Sequence, residues 1–342
     1  MGSIAVNRPI GPVKEFVKGA SIERLPSLIL GGAILNTQYT DNPESVPLTD
    51  MIRYAFDRGI RAIDTSPYYG QSEILYGRAL EQLTAEYPRD NYFICSKVGR
   101  IRLDEFDYSR SSVRKSVLRS LERLKTDYID LIFLHDVEFI ETKQVLEALK
   151  ELRVLKNDGI IHNFGISGYP VEFLLSVAQQ SREIAEIGPL DAVLSYANLN
   201  LQNTLLEDAF LRFKDEAQVK VVENGSILSM SLLRAQETLQ FHPCSPELRE
   251  RAQRAAQYAA AQGKDLATLA TKYALSRWVD RGPTVLGVSS IHELEIALQS
   301  YWDVVDRETH ELSASDVKDV NYIQETIFGD RLNETWQSGI DH

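Results

Sequence analysis

Eight short apolar runs, each followed by an amphipathic or loop segment, limit the folds open to this chain more than any other feature. Residues 28–32, 62–65, 92–97, 129–135, 163–167, 192–196, 220–223 and 284–288 have the length and composition of strands. Helical periodicity is clearest over 49–58, 72–83, 112–124, 142–157, 204–213 and 266–280. Asn157-Asp158-Gly159 is a helix stop, and Ser290-Ile-His-Glu293 reads as a capping box opening a helix over 291–300. Eight strands alternating with helices predict an α/β fold, a (β/α)8 TIM barrel, rather than an open sheet. No Gly-x-Gly-x-x-Gly follows a strand, so a doubly wound dinucleotide domain lacks its usual sign. The expected organisation is a loose N-terminal arm over 1–24 and a single barrel domain over 25–342. Residues 302–342 form its acidic C-terminal tail, with a helix-like middle.

The 342 residues suffice for a large core, and the formal charge of −12, from 49 acidic and 37 basic residues, argues against nucleic acid or an anionic membrane as partner. Two cysteines, Cys95 and Cys244, make no disulfide framework, which fits a reducing compartment. No apolar stretch is long enough to span a bilayer, and residues 1–18 lack a signal-peptide core. A soluble cytoplasmic protein with a small-molecule substrate is the expectation.

In such a barrel the chemistry sits where strands end at the C-terminal face. Asp64, Lys97 and His135 close the second, third and fourth apolar runs, so an acid, a base and an imidazole should gather there. Tyr69 follows Asp64 by five residues within Asp64-Thr65-Ser66-Pro67-Tyr68-Tyr69-Gly70 and can lean over them. A phenol is a poor acid or base near neutrality, its ordinary pKa being ~10. The Lys97 ammonium is expected to lower that pKa, Asp64 to anchor Lys97, and His135 to hydrogen-bond the reacting oxygen. Each residue alone reads more simply as structural: an ion pair between strands, a satisfied histidine, a loop-capping tyrosine. The order of all four at successive strand ends favours proton transfer at a carbonyl or hydroxyl carbon.

This quartet, in order, spacing and local context, resembles the catalytic tetrad of the aldo-keto reductases. The resemblance runs from about Leu28 to the C-terminus. It is closest to the NAD-dependent L-galactose and D-arabinose 1-dehydrogenase branch. The residues carrying this are Asp64 to Gly70, Lys97-Val98-Gly99-Arg100, Phe106-Asp-Tyr-Ser109, Ser120-Leu-Glu-Arg-Leu124, His135-Asp-Val-Glu-Phe139, His242-Pro-Cys-Ser-Pro-Glu-Leu-Arg249 and Asn333-Glu-Thr-Trp-Gln-Ser-Gly-Ile340. The resemblance implies hydride exchange between a nicotinamide cofactor and a sugar carbon. Tyr69 would take the anomeric proton of a cyclic aldose of the D-arabinose, L-galactose or L-fucose type, leaving an aldonolactone.

It also implies a cofactor site, with departures. Ser167-Gly168 stands where relatives commonly have Ser-Asn against the carboxamide, and Gly168 has no amide to offer. Ser226-Ile227-Leu228 would hold pyrophosphate, while Gly225 replaces an aromatic ring that stacks on nicotinamide in many relatives. Gly287-Val288-Ser289-Ser290 leads into a helix whose N-terminus suits phosphate oxygens. Gly287 and Glu293 occupy the places of a lysine and an arginine that pair with the 2′-phosphate in NADP-preferring relatives. Ile296-Ala297 replaces a Glu-Asn pair that often contacts adenine in relatives. A carboxylate repels that phosphate but accepts a ribose hydroxyl, so NAD is expected. Glu293 reads equally as the partner of Ser290 in a helix cap.

His162, His292 and His310 read as core or surface histidines, and no cysteine–histidine cluster suggests a metal. Cys95, two residues before Lys97, should face the same barrel interior one layer deeper. The His242–Pro246 connection reads as a sugar-site wall or as a rigid loop. Two other readings stay open: an NADPH-dependent aldehyde or ketone reductase, and a nucleotide-sensing barrel with little turnover. Oligomeric state is left open.

Overall fold

A computed structural model describes residues 7–13 and 15–342; residues 1–6 and 14 of the expected arm lie outside the described residues. The chain forms β1 (Leu28–Gly31), α1 (Leu48–Phe56), β2 (Ala62–Asp64), α2 (Ser72–Leu83), β3 (Phe93–Val98), β4 (Arg100–Arg102), β5 (Glu105–Phe106), α3 (Arg110–Leu124), β6 (Ile129–Leu134), α4 (Thr142–Asn157), β7 (Ile161–Gly168), α5 (Val171–Glu183), β8 (Ala192–Tyr196), α6 (Leu205–Asp215), β9 (Val221–Gly225), α7 (Pro246–Ala261), α8 (Leu266–Trp278), β10 (Thr284–Gly287), α9 (Ile291–Val305) and α10 (Ala314–Asn321). Strands β1, β2, β3, β6, β7, β8, β9 and β10 pair in parallel, and β1 closes the ring on β10. The (β/α)8 barrel expected from the alternating pattern is therefore the observed fold.

Alternation along each strand sorts side chains to two sides. Ile29, Ala62, Phe93, Cys95, Leu131, Phe133, Leu194 and Val221 form a buried cluster inside the ring. Ile63, Ile94, Ile132, Phe164 and Val222 face outward into a second, larger cluster shared with the helices. Two residues beyond each interior apolar group, the same face carries Asp64, Lys97, His135 and Tyr196 at the C-terminal mouth, while Glu223 on β9 stops two residues short of Gly225. Cys95 lies one layer below Lys97, fully buried, as the pattern predicts.

Local signals account for most element ends. Ser109, Ser245 and Asp265 cap α3, α7 and α8 by accepting from the third residue beyond, Ser112, Leu248 and Thr268. Lys125 closes α3 in the left-handed conformation. Helices α5 and α7 and the β4–β5 hairpin have no counterpart among the helix and strand patterns singled out from sequence. Helix α7 is alanine-rich with a narrow apolar face of Leu248, Ala252, Ala255 and Ala259, and it packs on the C-terminal region rather than on the ring. The helix-like middle of the tail is α10 with a wide turn over Tyr322–Phe328, stacked on α7 through Tyr258 and Tyr322 with ring centroids 4.5 Å apart.

The arm is not loose where it is described. Val17 and Ile22 are each 1 % exposed and join the interior cluster from below, so residues 15–25 floor the barrel. Arg61 ties this floor down by donating to the carbonyls of Glu15 and Asn91, at 2.8 and 3.0 Å. Apolar interior side chains at the N-terminal end of the ring would otherwise meet water, and the arm covers them. No helix among the described residues is long and apolar enough to cross a membrane.

Ile22→Ala should destabilise the barrel by about 2–4 kcal/mol through the cavity opened under the ring. A denaturant titration showing no loss would restore the loose arm.

Candidate active site

The parallel register fixes the depth of the site. Gly31 aligns with Asp64, Asp64 with Cys95, and Lys97 with Phe133 on the neighbouring strand. Asp64 on β2 and Lys97 on β3 thus project from adjacent strands into the same mouth, and Lys97 Nζ donates to Asp64 Oδ1 at 2.5 Å. The ammonium donates again to the Thr65 carbonyl at 3.1 Å and lies 5.0 Å from the centre of the Tyr69 ring. The Tyr69 and His135 rings meet edge to face, with centroids 5.5 Å apart. All four residues proposed from sequence therefore gather at one mouth.

Two polar groups flank the His135 ring. Ser66 Oγ, which accepts from the Tyr68 backbone N–H at 3.1 Å, lies 3.0 Å from Nδ1. Nε2 is 3.5 Å from Asp136 Oδ2. Burial, aided by the Lys97 and Arg100 cations, pushes His135 well below the ordinary histidine range, so the ring is neutral at pH 7. In the tautomer that Ser66 favours by donating to Nδ1, a neutral Nε2–H is a donor suited to a substrate oxygen.

Charge in the site is held by burial and pairing together. For Lys97, burial opposes the charge, but Asp64 and Tyr69 outweigh it and the ammonium is retained. Burial lifts Asp64, and Lys97 offsets part of that rise. Tyr69 departs from expectation. Burial raises its pKa by more than Lys97 lowers it, with Asp64 and Asp136 adding to the rise. The phenol keeps its proton at neutral pH.

The structure adds partners that residue patterns alone did not single out. Arg100 pairs with Asp136 and lies 4.1 Å over the Tyr68 ring. Tyr108 donates to the His135 carbonyl. Glu138 is fully buried, accepting from the Tyr169 N–H at 3.0 Å and the Ser338 hydroxyl at 3.1 Å. Burial and the neighbouring Asp136 push Glu138 up to about 8. Residues 333–342 run across the mouth: Trp336 stacks on Tyr169 at 4.3 Å, and the Ile340 N–H donates to the Glu138 carbonyl at 2.9 Å. A Cβ on Gly339 would sit 2.0 Å from that carbonyl, and its φ of +82° also calls for glycine. Arg100, Asp136, Glu138 and Ser338 all lie inside the quoted family-like motifs, which was the one available signal.

Of the expected cofactor residues, Ser167 ends β7 with its hydroxyl donating to the Leu134 carbonyl at 3.3 Å. A Cβ on Gly168 would lie 2.3 Å from Glu138 Oε2, so the glutamate fills the place where an asparagine would stand. Ser226 has φ +55°, and its hydroxyl accepts from Met230 N at 2.9 Å; Leu228 follows in the same turn. Gly225 and Gly287, on neighbouring strands, leave backbone at the mouth without a covering Cβ. With the N-terminus of α9 beside them, this surface fits the flat, anionic shape of a dinucleotide.

Glu293 is a cap, displaced by one residue from the expected partner. Its Oε2 accepts from Ser289 N at 2.6 Å and Ser289 Oγ at 2.9 Å, while Ser290 Oγ accepts from Glu293 N at 3.2 Å. His242 is also structural: Nδ1 accepts from Cys244 N at 3.1 Å, which leaves Nε2 to donate to the Ser229 carbonyl at 2.9 Å. That is the rigid-loop reading of the 242–246 connection.

With this geometry in view, residues 27–321 match the aldo/keto reductase family. The chain belongs to that family. It is 59 % identical to D-arabinose 1-dehydrogenase of Saccharomyces cerevisiae over 331 residues, covering 96 % of this chain and 98 % of the yeast protein. It is 33 % identical to L-galactose dehydrogenase of Arabidopsis thaliana, covering 84 % and 86 %. Among solved structures, glycerol dehydrogenase from Gluconobacter oxydans shares the fold with a TM-score of 0.63 at 22 % identity, covering 93 % of this chain and 96 % of that one. Like other aldo-keto reductases, this oxidoreductase uses a nicotinamide cofactor.

Gly168→Ala should cost about 1–3 kcal/mol by forcing Cβ against the Glu138 carboxyl. The cost should shrink when Glu138→Ala is present, and a double-mutant cycle with no coupling would show that the two residues do not compete for space.

Proposed function

We propose that this aldo-keto reductase oxidises the anomeric carbon of a cyclic aldose to an aldonolactone, with NAD as hydride acceptor. The sugars favoured are those of the D-arabinose, L-galactose and L-fucose type. The observation that carries the reading is 59 % identity, over nearly the whole chain, to a D-arabinose 1-dehydrogenase whose substrate name matches the chemistry of the tetrad. The two free cysteines, both buried, accord with a cytoplasmic enzyme.

In this reading Tyr69 is the proton-transfer group. Its phenolate takes the proton of the anomeric hydroxyl, and the O–H electrons become the second bond of the lactone carbonyl as the anomeric hydride departs. A bound oxidised nicotinamide supplies the hydride acceptor and a positive ring charge. His135 Nε2–H holds the reacting oxygen, and its neutrality lets it donate without competing for the proton. Lys97, 5.0 Å from the centre of the Tyr69 ring, stabilises the phenolate, while Asp64 keeps the ammonium in place. Because burial raises Tyr69, its base form grows with pH above neutrality. Oxidation should therefore speed up on the alkaline side, and carbonyl reduction should not. Ring closure before oxidation means the product is an ester and no water has to enter the reaction.

The choice of NAD rests on the start of α9. Gly287 offers no cation and Glu293 presents a carboxylate already fixed by Ser289, so a 2′-phosphate would meet repulsion and no partner. The 2′-hydroxyl of NAD carries no such charge.

Tyr69→Phe should lower kcat for D-arabinose oxidation by at least ~10²-fold with NAD affinity nearly unchanged, since only the acid/base is removed. Turnover like that of the natural enzyme would take Tyr69 out of the mechanism.

Glu293→Arg should move the NADP to NAD ratio of kcat/KM upward by ~10- to 100-fold, replacing repulsion with a charge-assisted contact. It should also lose about 0.5–2 kcal/mol of stability with the Ser289 contacts. A fall in melting temperature with the cofactor ratio unmoved would confine Glu293 to capping. A natural enzyme preferring NADP would refute the cofactor assignment.

A further inference from the structure

Beneath the tetrad, the barrel interior holds one acid that the mechanism above does not use. Glu223 lies on β9, between Val221 and the glycine at the mouth, and aligns with Leu194 on β8. It is fully buried, and neither carboxyl oxygen has a hydrogen-bond partner among the described residues. Apolar side chains of Ile29, Ala62, Phe93, Leu131, Phe133 and Val221 fill most of the interior around and below it. Asp64 Oδ2 is likewise buried and without a donor.

We infer that Glu223 is a positioning residue of the proposed reaction, acting through Lys97 to set how readily Tyr69 gives up its proton. This rests on the reading of Tyr69 as the acid/base. A buried carboxylate without donors is costly, and the neutral acid is the less costly form. The titratable groups on the interior face of the eight strands are Asp64, Cys95, Lys97, His135, Tyr196 and Glu223 itself. Of these, Asp64 and Lys97 act on Glu223, and Glu223 in turn acts on the buried Cys95 thiol. Burial first, then Asp64, raise its carboxyl to about 8, with Lys97 offsetting part of the rise.

Near neutrality Glu223 therefore carries its proton, and Asp64 alone balances the ammonium. Above that range two carboxylates face one ammonium. Less positive field then reaches the phenol, and Tyr69 ionises at higher pH than it would beside Asp64 alone. Because the alkaline rise of sugar oxidation follows the Tyr69 phenolate, Glu223 shifts that rise upward. A neutral side chain of the same shape should release it.

The test is the pH profile of kcat/KM for D-arabinose oxidation by the holoenzyme from pH 6 to 10, natural chain against Glu223→Gln. The rise should move to lower pH by roughly half to one unit in the variant. A purely structural carboxyl would alter stability but leave the rise in place; superimposed profiles, or a shift to higher pH, overturn the inference. If Glu223→Gln does not fold, difference infrared titration of the natural enzyme decides, with Glu138→Gln subtracting the other carboxyl raised to about 8. A protonated-carboxyl band lost around pH 8 supports the assignment, and no titrating band between pH 6 and 10 overturns it. Failure of the underlying reading is distinguishable, because it shows as full turnover by Tyr69→Phe whatever Glu223 does.

Discussion

The ion pair between Lys97 and Asp64 is the interaction on which the site depends. Both side chains are almost wholly buried, so neither charge would persist without the other. Their strands are neighbours in the ring, which brings the two charges together with no loop to adjust. The Thr65 carbonyl takes a second ammonium proton, so Lys97 is held from two sides. A charge so confined keeps its field on the Tyr69 phenol, whose ring centre is 5.0 Å away. Had either residue come from a flexible loop, side-chain entropy and water would have weakened that field several-fold.

The ring and the tetrad were legible in the sequence because both follow from one-dimensional rules. A run such as Tyr128 to Leu134 announces a buried strand, and a polar residue ending it announces the barrel mouth. Alternation then placed Cys95 beneath Lys97 correctly. The relations that escaped are those between residues far apart in the chain. Nothing local to Gly168 says that Glu138 fills the space beside it, and nothing local to Glu293 says that its carboxyl turns to Ser289 rather than Ser290. The arm was misread for the same reason: Val17 and Ile22 are isolated apolar residues in a polar segment. Their burial depends on a barrel floor formed by strands from all round the ring. At Tyr69 the lowering effect of the Lys97 cation was visible in sequence, and the burial that opposes it was not.

The interior therefore combines two opposed designs. Below Asp64 and Lys97 the interior is filled chiefly by apolar side chains, with Glu223 as a buried exception, and that filling gives the ring its stability. From that level up, the mouth concentrates Asp64, Lys97, His135, Asp136, Arg100 and Glu138, and Asp64 and Glu138 each have an oxygen that no donor among the described residues reaches. Such groups lower stability, and they persist where positioned charge serves chemistry. Arg100 and Asp136 illustrate the compromise. Their pairing neutralises both charges beside His135, and Arg100 still helps to hold the imidazole uncharged.

Glu138 joins the catalytic loop to the end of the chain. It lies three residues beyond His135, its side chain holds the Tyr169 N–H just past Ser167, and its backbone carbonyl accepts from Ile340 and His342. Movement of the last residues would reach both His135 and Ser167 through this one residue. The same carboxyl takes up the space beside Gly168, so an asparagine there and the tail latch cannot coexist in this geometry. The glycine is thus better explained as room for the latch than as a lost cofactor contact. In this chain the alignment of the strand ends that frame the tetrad is secured partly from the C-terminus, more than two hundred residues downstream of His135.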